Sequence, residues 1–428
     1  MLFIDNLKLY WTQFYTGPLS YKILFLGKCF TYLAITTFLF RFSLWQYRFQ
    51  RIFLVLAILC ALYYVISSKY VQEYIKNQYK NVFITLGAFI FFTLVGSLTS
   101  FLTFQNFLLI SEYGNYIYFL FSVCLFILIL IFGIEDKKLD RKIFYPFLIL
   151  YIPFPFLYFI SGFTKNLFFD QYGALIGFSN DAAVYAFLLL IPTLYSFFRF
   201  YFSKKIIYYI TFIISITLIL LTTNRGVVLS IFFAIFITSI FVIYKSKNKI
   251  KSLLLLLLFL FSSCLISYII VPKNLIRTNI TYNQKIILPL TTNVYPHEER
   301  QTLWIQSFHY IIKNPFGYGP LYARVIDIKG SEGHNYASHN TYLQAVLVGG
   351  IPLLIILLMI IYIFFHSQYL IYMYNKNAEV YIYLSFFIAV ILNSFFSEYL
   401  FFVETWIVGA LIVLHNKEYK NNIMNLHF

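Results

Sequence analysis

The stretch IIYYITFIISITLILLTTNRGVVLSIFFAIFITSIFVIYK, residues 206–245, decides the fold. Two apolar runs, 206–222 and 226–244, stand back to back with only Thr223, Asn224 and Arg225 between them. Each is close to the about 20 residues that an α-helix needs to cross hydrocarbon. Lipid offers no water to the backbone, so each run must close its hydrogen bonds internally, as a helix. The short alternating segments of a membrane β-barrel are absent. The pair is therefore predicted to cross the bilayer and return.

The rest of the chain follows the same pattern. Of 428 residues 61% are hydrophobic and 11% charged, with 52 Phe and 39 Tyr, and the mean hydropathy is +0.77. A soluble protein has about 25% charged residues, so a soluble enzyme, a disordered chain and a secreted disulfide scaffold are all excluded. Further runs at 23–40, 52–67, 82–99, 116–134, 143–163, 182–202, 252–271, 341–365, 379–396 and 399–414 bring the expected spans to twelve. The first is expected to be a retained span, since no A-x-A-like site follows it. The fold class is thus an all-α polytopic membrane protein of about twelve transmembrane helices. The expected organisation is helices 1–9 in 1–271, one large partly helical external loop in 272–340, and helices 10–12 with a tail in 341–428.

The formal charge of +16 belongs to topology. Cytoplasmic loops collect Lys and Arg. Lys137, Lys138, Arg141 and Lys142 mark one such loop, Arg199, Lys204 and Lys205 a second, and Lys245, Lys247, Lys249 and Lys251 a third. Alternation then puts 164–181, 223–225, 272–340 and 397–398 outside and both termini inside. Arg41, Arg48 and Arg51 run against the rule. No basic stripe interleaves with exposed aromatics, so nucleic acid is not an expected partner. Cys29, Cys60, Cys124 and Cys264 all lie inside apolar runs without metal-ligand spacing.

The loop up to Ser338 has no long apolar run, and His297, His309, His334 and His339 lie in it or at its edge. Glu299–Lys313 reads as an amphipathic helix with Arg300, Trp304, Ser307, Phe308 and Ile311 on one stripe, ended by Asn314-Pro315. His339 precedes an apolar helix that Ser338 or Asn340 would cap and that Gly349-Gly350-Ile351-Pro352 interrupts. Two readings stand for each candidate. Arg225 is a snorkelling helix-end cation or a functional charge at membrane depth whose guanidinium fork suits phosphate oxygens. Arg300 is a solvated helix-start charge or, sharing a stripe with Trp304, an inward phosphate ligand. His339 is a polar interfacial residue or a base for a sugar hydroxyl. Asp181 reads as an N-cap, and Glu398 and Glu404 flank the last span. HExxH, P-loop, GxSxG and paired-Asp metal motifs are absent.

Together these pieces resemble a known family. Arg225-Gly226 after a Thr-rich span end, Arg300 with Leu303-Trp304 and Asn314-Pro315-Phe316-Gly317-Tyr318-Gly319, and His339-Asn340-Thr341-Tyr342-Leu343 followed by Gly349-Gly350 are similar, in order and spacing, to motifs of the O-antigen polymerase and O-antigen ligase superfamily of bacterial inner-membrane glycosyltransferases. The resemblance covers about residues 170–365. It implies a C-type glycosyltransferase fold with its site at the periplasmic face, metal-independent inverting transfer, no cofactor, and an undecaprenyl-pyrophosphate-linked oligosaccharide as donor and as acceptor. Arg225 and Arg300 would hold the leaving pyrophosphate and His339 would activate or orient the acceptor hydroxyl. Asn340, Trp304, Arg324, Tyr342 and Glu398 are the expected substrate-binding residues. The aromatic composition and the His-Asn-Thr-Tyr-Leu form look more like polymerases, with a chain-length-regulating protein as partner. The alternatives are a ligase acting on the lipid A core and, from a different class, a flippase or transporter.

Overall fold

The computed structural model describes residues 16–39, 46–104, 113–134, 182–222, 224–270, 299–319, 326, 328, 338–374, 378–397 and 403–425. Regular structure among them is helical. In chain order the helices are α1 (Leu19–Leu39), α2 (Gln46–Ser67), α3 (Lys69–Tyr74), α4 (Lys80–Phe104), α5 (Tyr113–Gly133), α6 (Ala182–Ser203), α7 (Ile206–Leu221), α8 (Arg225–Lys245), α9 (Lys249–Ile270), α10 (Glu299–Lys313), α11 (Thr341–Tyr374), α12 (Ala378–Asn393) and α13 (Val403–Asn425). Every expected span within the described residues is a helix, and 143–163 lies outside them. Among the described residues four stretches are long and apolar enough to cross a membrane unaided: Lys69–Thr99, Tyr185–Ser203, Gly226–Lys245 and Thr341–Met373.

Two boundaries differ most from expectation. The span expected to start at 82 belongs to a helical run that starts at Lys69 and passes through a π turn at Ile75–Tyr79. Polar residues 69–80 contain neither Gly nor Pro to stop it, and Ser68 Oγ caps its start by accepting from Val71 N at 3.3 Å. The last helix continues past 414 to Asn425 for the same lack of a breaker.

Helices neighbouring in sequence pack as hairpins, α1 on α2 and α6 on α7, while α4 on α11, α5 on α13 and α8 on α12 join distant parts of the chain. Aromatic residues fill the α6–α7–α9 contact, where Phe259 lies 4.7 to 5.2 Å from the rings of Phe197, Phe200, Tyr209 and Phe212. Several buried hydroxyls bond back to their own helix: Thr93, Thr193 and Ser196 donate to Phe89 O, Leu189 O and Pro192 O.

One end of the bundle is joined by charge. Arg199 of α6 pairs with Glu379 of α12 at 2.5 Å. Lys245, ending α8, donates to the carbonyls of Tyr372 and Met373 that end α11, where a cation complements the helix dipole. These basic residues belong to the loops assigned to the cytoplasm.

The other end depends on a break in α11. Gly349 (φ −128°, ψ 17°) and Gly350 (φ 73°, ψ −173°) are not helical, so nearby carbonyls lose their intrahelical donors. The segment after α10 takes them. Tyr318 N donates to Leu347 O at 2.6 Å and Gly319 N to Val348 O at 2.9 Å, while Ile351 N donates to Pro315 O at 3.0 Å. Asn314 shapes that segment, with Nδ2 to Gly317 O at 2.7 Å and Oδ1 accepting from Phe316 N at 3.3 Å. α4 closes it from the third side, as Thr99 Oγ1 donates to Gly317 O at 2.8 Å. A Cβ on Gly96 would stand 1.9 Å from Val348 O, so only glycine lets α4 come this close.

A Cβ on Gly350 would stand 2.3 Å from Pro315 O, in a backbone region essentially restricted to glycine. Gly350→Ala is expected to cost at least about 1–3 kcal/mol and lower the melting temperature of the detergent-solubilised protein. Gly87→Ala, in the interior of α4 with open space around it, is the control and should be neutral or stabilise by up to about 1 kcal/mol.

Candidate functional site

α11 starts in the way its sequence suggests. Asn340 is the cap, with Oδ1 accepting from Tyr342 N at 2.9 Å and Leu343 N at 3.1 Å. Ser338 instead braces the approach, its Oγ donating to Asn340 O at 3.1 Å. Between them His339 takes φ +49°, the left-handed region, and is half-buried. A β-carbon there is strained by about 1–2 kcal/mol, and His is among the residues that tolerate it best. The conformation turns the chain sharply between Ser338 and Asn340.

The turn that follows α12 holds this start in place. Thr341 N donates to Ser394 O at 2.9 Å and Thr341 Oγ1 to Ser397 O at 2.7 Å. Asn340 Nδ2 reaches Phe395 O at 3.4 Å. Tyr342 donates its hydroxyl to Ile391 O at 3.1 Å and sets its ring 4.6 Å from that of Phe395. From above, Trp304 of α10 donates Nε1–H to Ser338 O at 3.0 Å.

The same turn meets the start of α8. Thr222 Oγ1 accepts from Asn224 N at 3.4 Å, and Asn224 Oδ1 caps α8 by accepting from Val227 N at 3.0 Å. Arg225 is the first residue of the helix. Gly226 lies against the turn: a Cβ on it would stand 2.8 Å from Phe396 Cβ and 3.3 Å from Asn393 Oδ1. Asn393 itself is fully buried, and neither polar atom of its amide has a partner among the described residues.

Two helix N-termini, those of α8 and α11, therefore abut one turn, residues 393–397. The aligned peptide dipoles give each start a positive partial charge, while the first amides of α11 are already bonded to Ser394 O and to Asn340.

The structure brings together the backbone of Arg225 and the residues His339, Asn340, Tyr342 and Trp304. The side chains of Arg225 and Arg300 lie outside the described residues, as do Arg324 and Glu398, and with them Asp181, His297 and His334. On α10 one expectation is corrected. Trp304, Ser307 and Ile311 face inward and Leu303 joins them, but Phe308 turns outward and is 55% exposed. It sits at the edge of the predicted stripe, where the inner surface of α11 no longer covers it. Sequence reasoning missed the 393–397 turn altogether. Its signal was the polar interruption Asn393-Ser394 at the end of an apolar run. Among the described residues no group of three His, Cys, Asp or Glu side chains is placed to hold a metal ion.

Asn340→Ala should remove the cap of α11 and its tie to the turn, at a cost of about 1 kcal/mol. Asn340→Asp keeps the acceptor and should recover most of that loss. Thermal unfolding of the two variants in detergent checks this.

None of the curated proteins matches the chain. Residues 210–358 match the family model described as O-antigen ligase. The match takes in Arg225, Arg300, Trp304, Arg324, His339, Asn340 and Tyr342, together with the break in α11 and the segment that fills it, and it stops short of the 393–397 turn. Over residues 210–358 the chain is therefore similar to the O-antigen ligase family.

Proposed function

We propose that this protein polymerises surface glycan, joining oligosaccharide repeat units carried on undecaprenyl pyrophosphate at the periplasmic face of the bacterial inner membrane, within a bundle of twelve spans. The observation that supports the reading is the meeting of two helix starts on the 393–397 turn: Arg225 begins one, and His339 precedes the other.

The proposed reaction is a single in-line displacement. A hydroxyl at the non-reducing end of the incoming repeat unit attacks the anomeric carbon of the donor chain. The bond from that carbon to the pyrophosphate oxygen breaks, with inversion, and lipid pyrophosphate leaves. The hydroxyl proton passes to His339. Negative charge grows on the leaving group, so guanidiniums fixed there stabilise the transition state more than the ground state. Arg225 and Arg300 take this role, which divalent metals take in other transferases. Asn340, Trp304, Arg324, Tyr342 and Glu398 bind sugar around the centre. Asn340 and Trp304 also hold the loop that carries His339. A chain-length-regulating protein is the proposed partner.

The description of the matched family favours a second reading, ligation of finished glycan to the lipid A core. Gels of surface glycan from a strain lacking the gene separate the two. Collapse of the ladder to a single repeat on the core supports polymerisation. Loss of every core-linked repeat, with lipid-linked polymer accumulating, supports ligation instead.

His339→Gly relieves the left-handed strain while removing the imidazole. It should leave the melting temperature within a few degrees of wild type and abolish rescue of the ladder. Retained rescue would remove His339 as the base. Arg225→Lys keeps charge but loses the fork and should lose most activity. A normal ladder in that variant would count against the pyrophosphate role.

A further inference from the structure

α10 has a second apolar face that the proposed reaction does not use. Ile305, Phe308 and Ile312, spaced by three and four residues, lie on one side of the helix at 68%, 55% and 80% exposure. Phe316, just past the helix end, is 56% exposed. The opposite side is occupied, with Leu303 and Ser307 buried. A single exposed apolar residue needs no explanation, but an aligned row does.

The position of the row identifies what covers it. Beyond its break α11 runs through residues 351–374, about 36 Å at 1.5 Å per residue. That length alone crosses a hydrocarbon core of about 30 Å. Ile351 therefore stands at the membrane boundary on the His339 side. Its outward neighbours one, two and three turns on, Ile355, Met359 and Tyr362, are exposed as a lipid-facing row should be. The hydrogen bond from Ile351 N to Pro315 O fixes Phe316 beside this boundary, and α10, which ends at Lys313 just before it, packs against α11. The stripe of α10 thus continues the lipid-facing surface of α11 past the break.

We propose that α10 lies in the bilayer interface on the His339 side, with Ile305, Phe308 and Ile312 inserted among the lipid chains. An interfacial helix buries such a face at the boundary of headgroups and acyl chains. Trp304, on the inner side, then holds Ser338 O at headgroup depth, the level at which a lipid-linked head group arrives.

The test reads depth and is independent of glycosyl transfer. Single cysteines replace Phe308, Ile312 and, as controls on the polar flank, Thr302 and Gln306, in full-length protein whose four native cysteines are changed to serine. Each is labelled with a small environment-sensitive fluorophore in lipid nanodiscs, and properly folded variants are selected by gel filtration. Labels at 308 and 312 should be quenched several-fold more by acyl-chain nitroxide lipids than labels at 302 and 306, and less by iodide. Equal quenching by iodide at all four sites would overturn the proposal. Protection of 308 and 312 from both quenchers would overturn it as well, because protein would then cover the stripe. Ile305→Cys provides an independent reading if either stripe variant fails to fold.

Discussion

A backbone carbonyl buried away from water must find a donor within the protein. The break at Gly349-Gly350 creates such carbonyls, at Leu347 and Val348, and much of the His339 end of the bundle is arranged around answering them. Residues 315–319 enter the gap and take over the hydrogen bonding of one helical turn. To do so they must approach α11 and α4 closely, which is why Gly317 and Gly319 take positive φ and Gly96 faces them from α4. In return the chain after α10 is fixed against α11, and α10, with Trp304, is delivered to the loop before α11.

The two ends of the bundle are held by different chemistry. Arg199–Glu379 and the Lys245 cap use charge, as suits the end where basic residues accumulate and water is at hand. At the His339 end, among the described residues, the joints are neutral: amide to carbonyl, hydroxyl to carbonyl, indole to carbonyl.

Much of this was legible in the sequence. Run lengths located the helices, Asn314-Pro315 marked the end of α10, and Asn340 and Gly349-Gly350 marked the start and the break of α11. These are local signals, carried by the residues that produce them. What was not legible is which distant segment closes an open backbone group. Gly317 and Gly319 could be read only as part of a family-like motif. Their physical task, to let one chain lie within hydrogen-bonding distance of a broken helix, requires knowing that Leu347 and Val348 are opposite. The 393–397 turn was missed for the same reason, since its partners lie more than fifty residues earlier in the chain. Phe308 was misassigned because helical periodicity places a residue at the edge of a stripe without saying how far the neighbouring surface extends.

The closure of the α11 break also separates the site from the size of the loop around it. Chain fixed at 299–319 and again from 338 onward divides the external region into two intervals, each begun and ended by anchored residues. Closing a longer interval costs only about 0.6 kcal/mol for each doubling of its length. Either interval can therefore lengthen or shorten at small energetic cost while Trp304 and the turn at His339 keep their place.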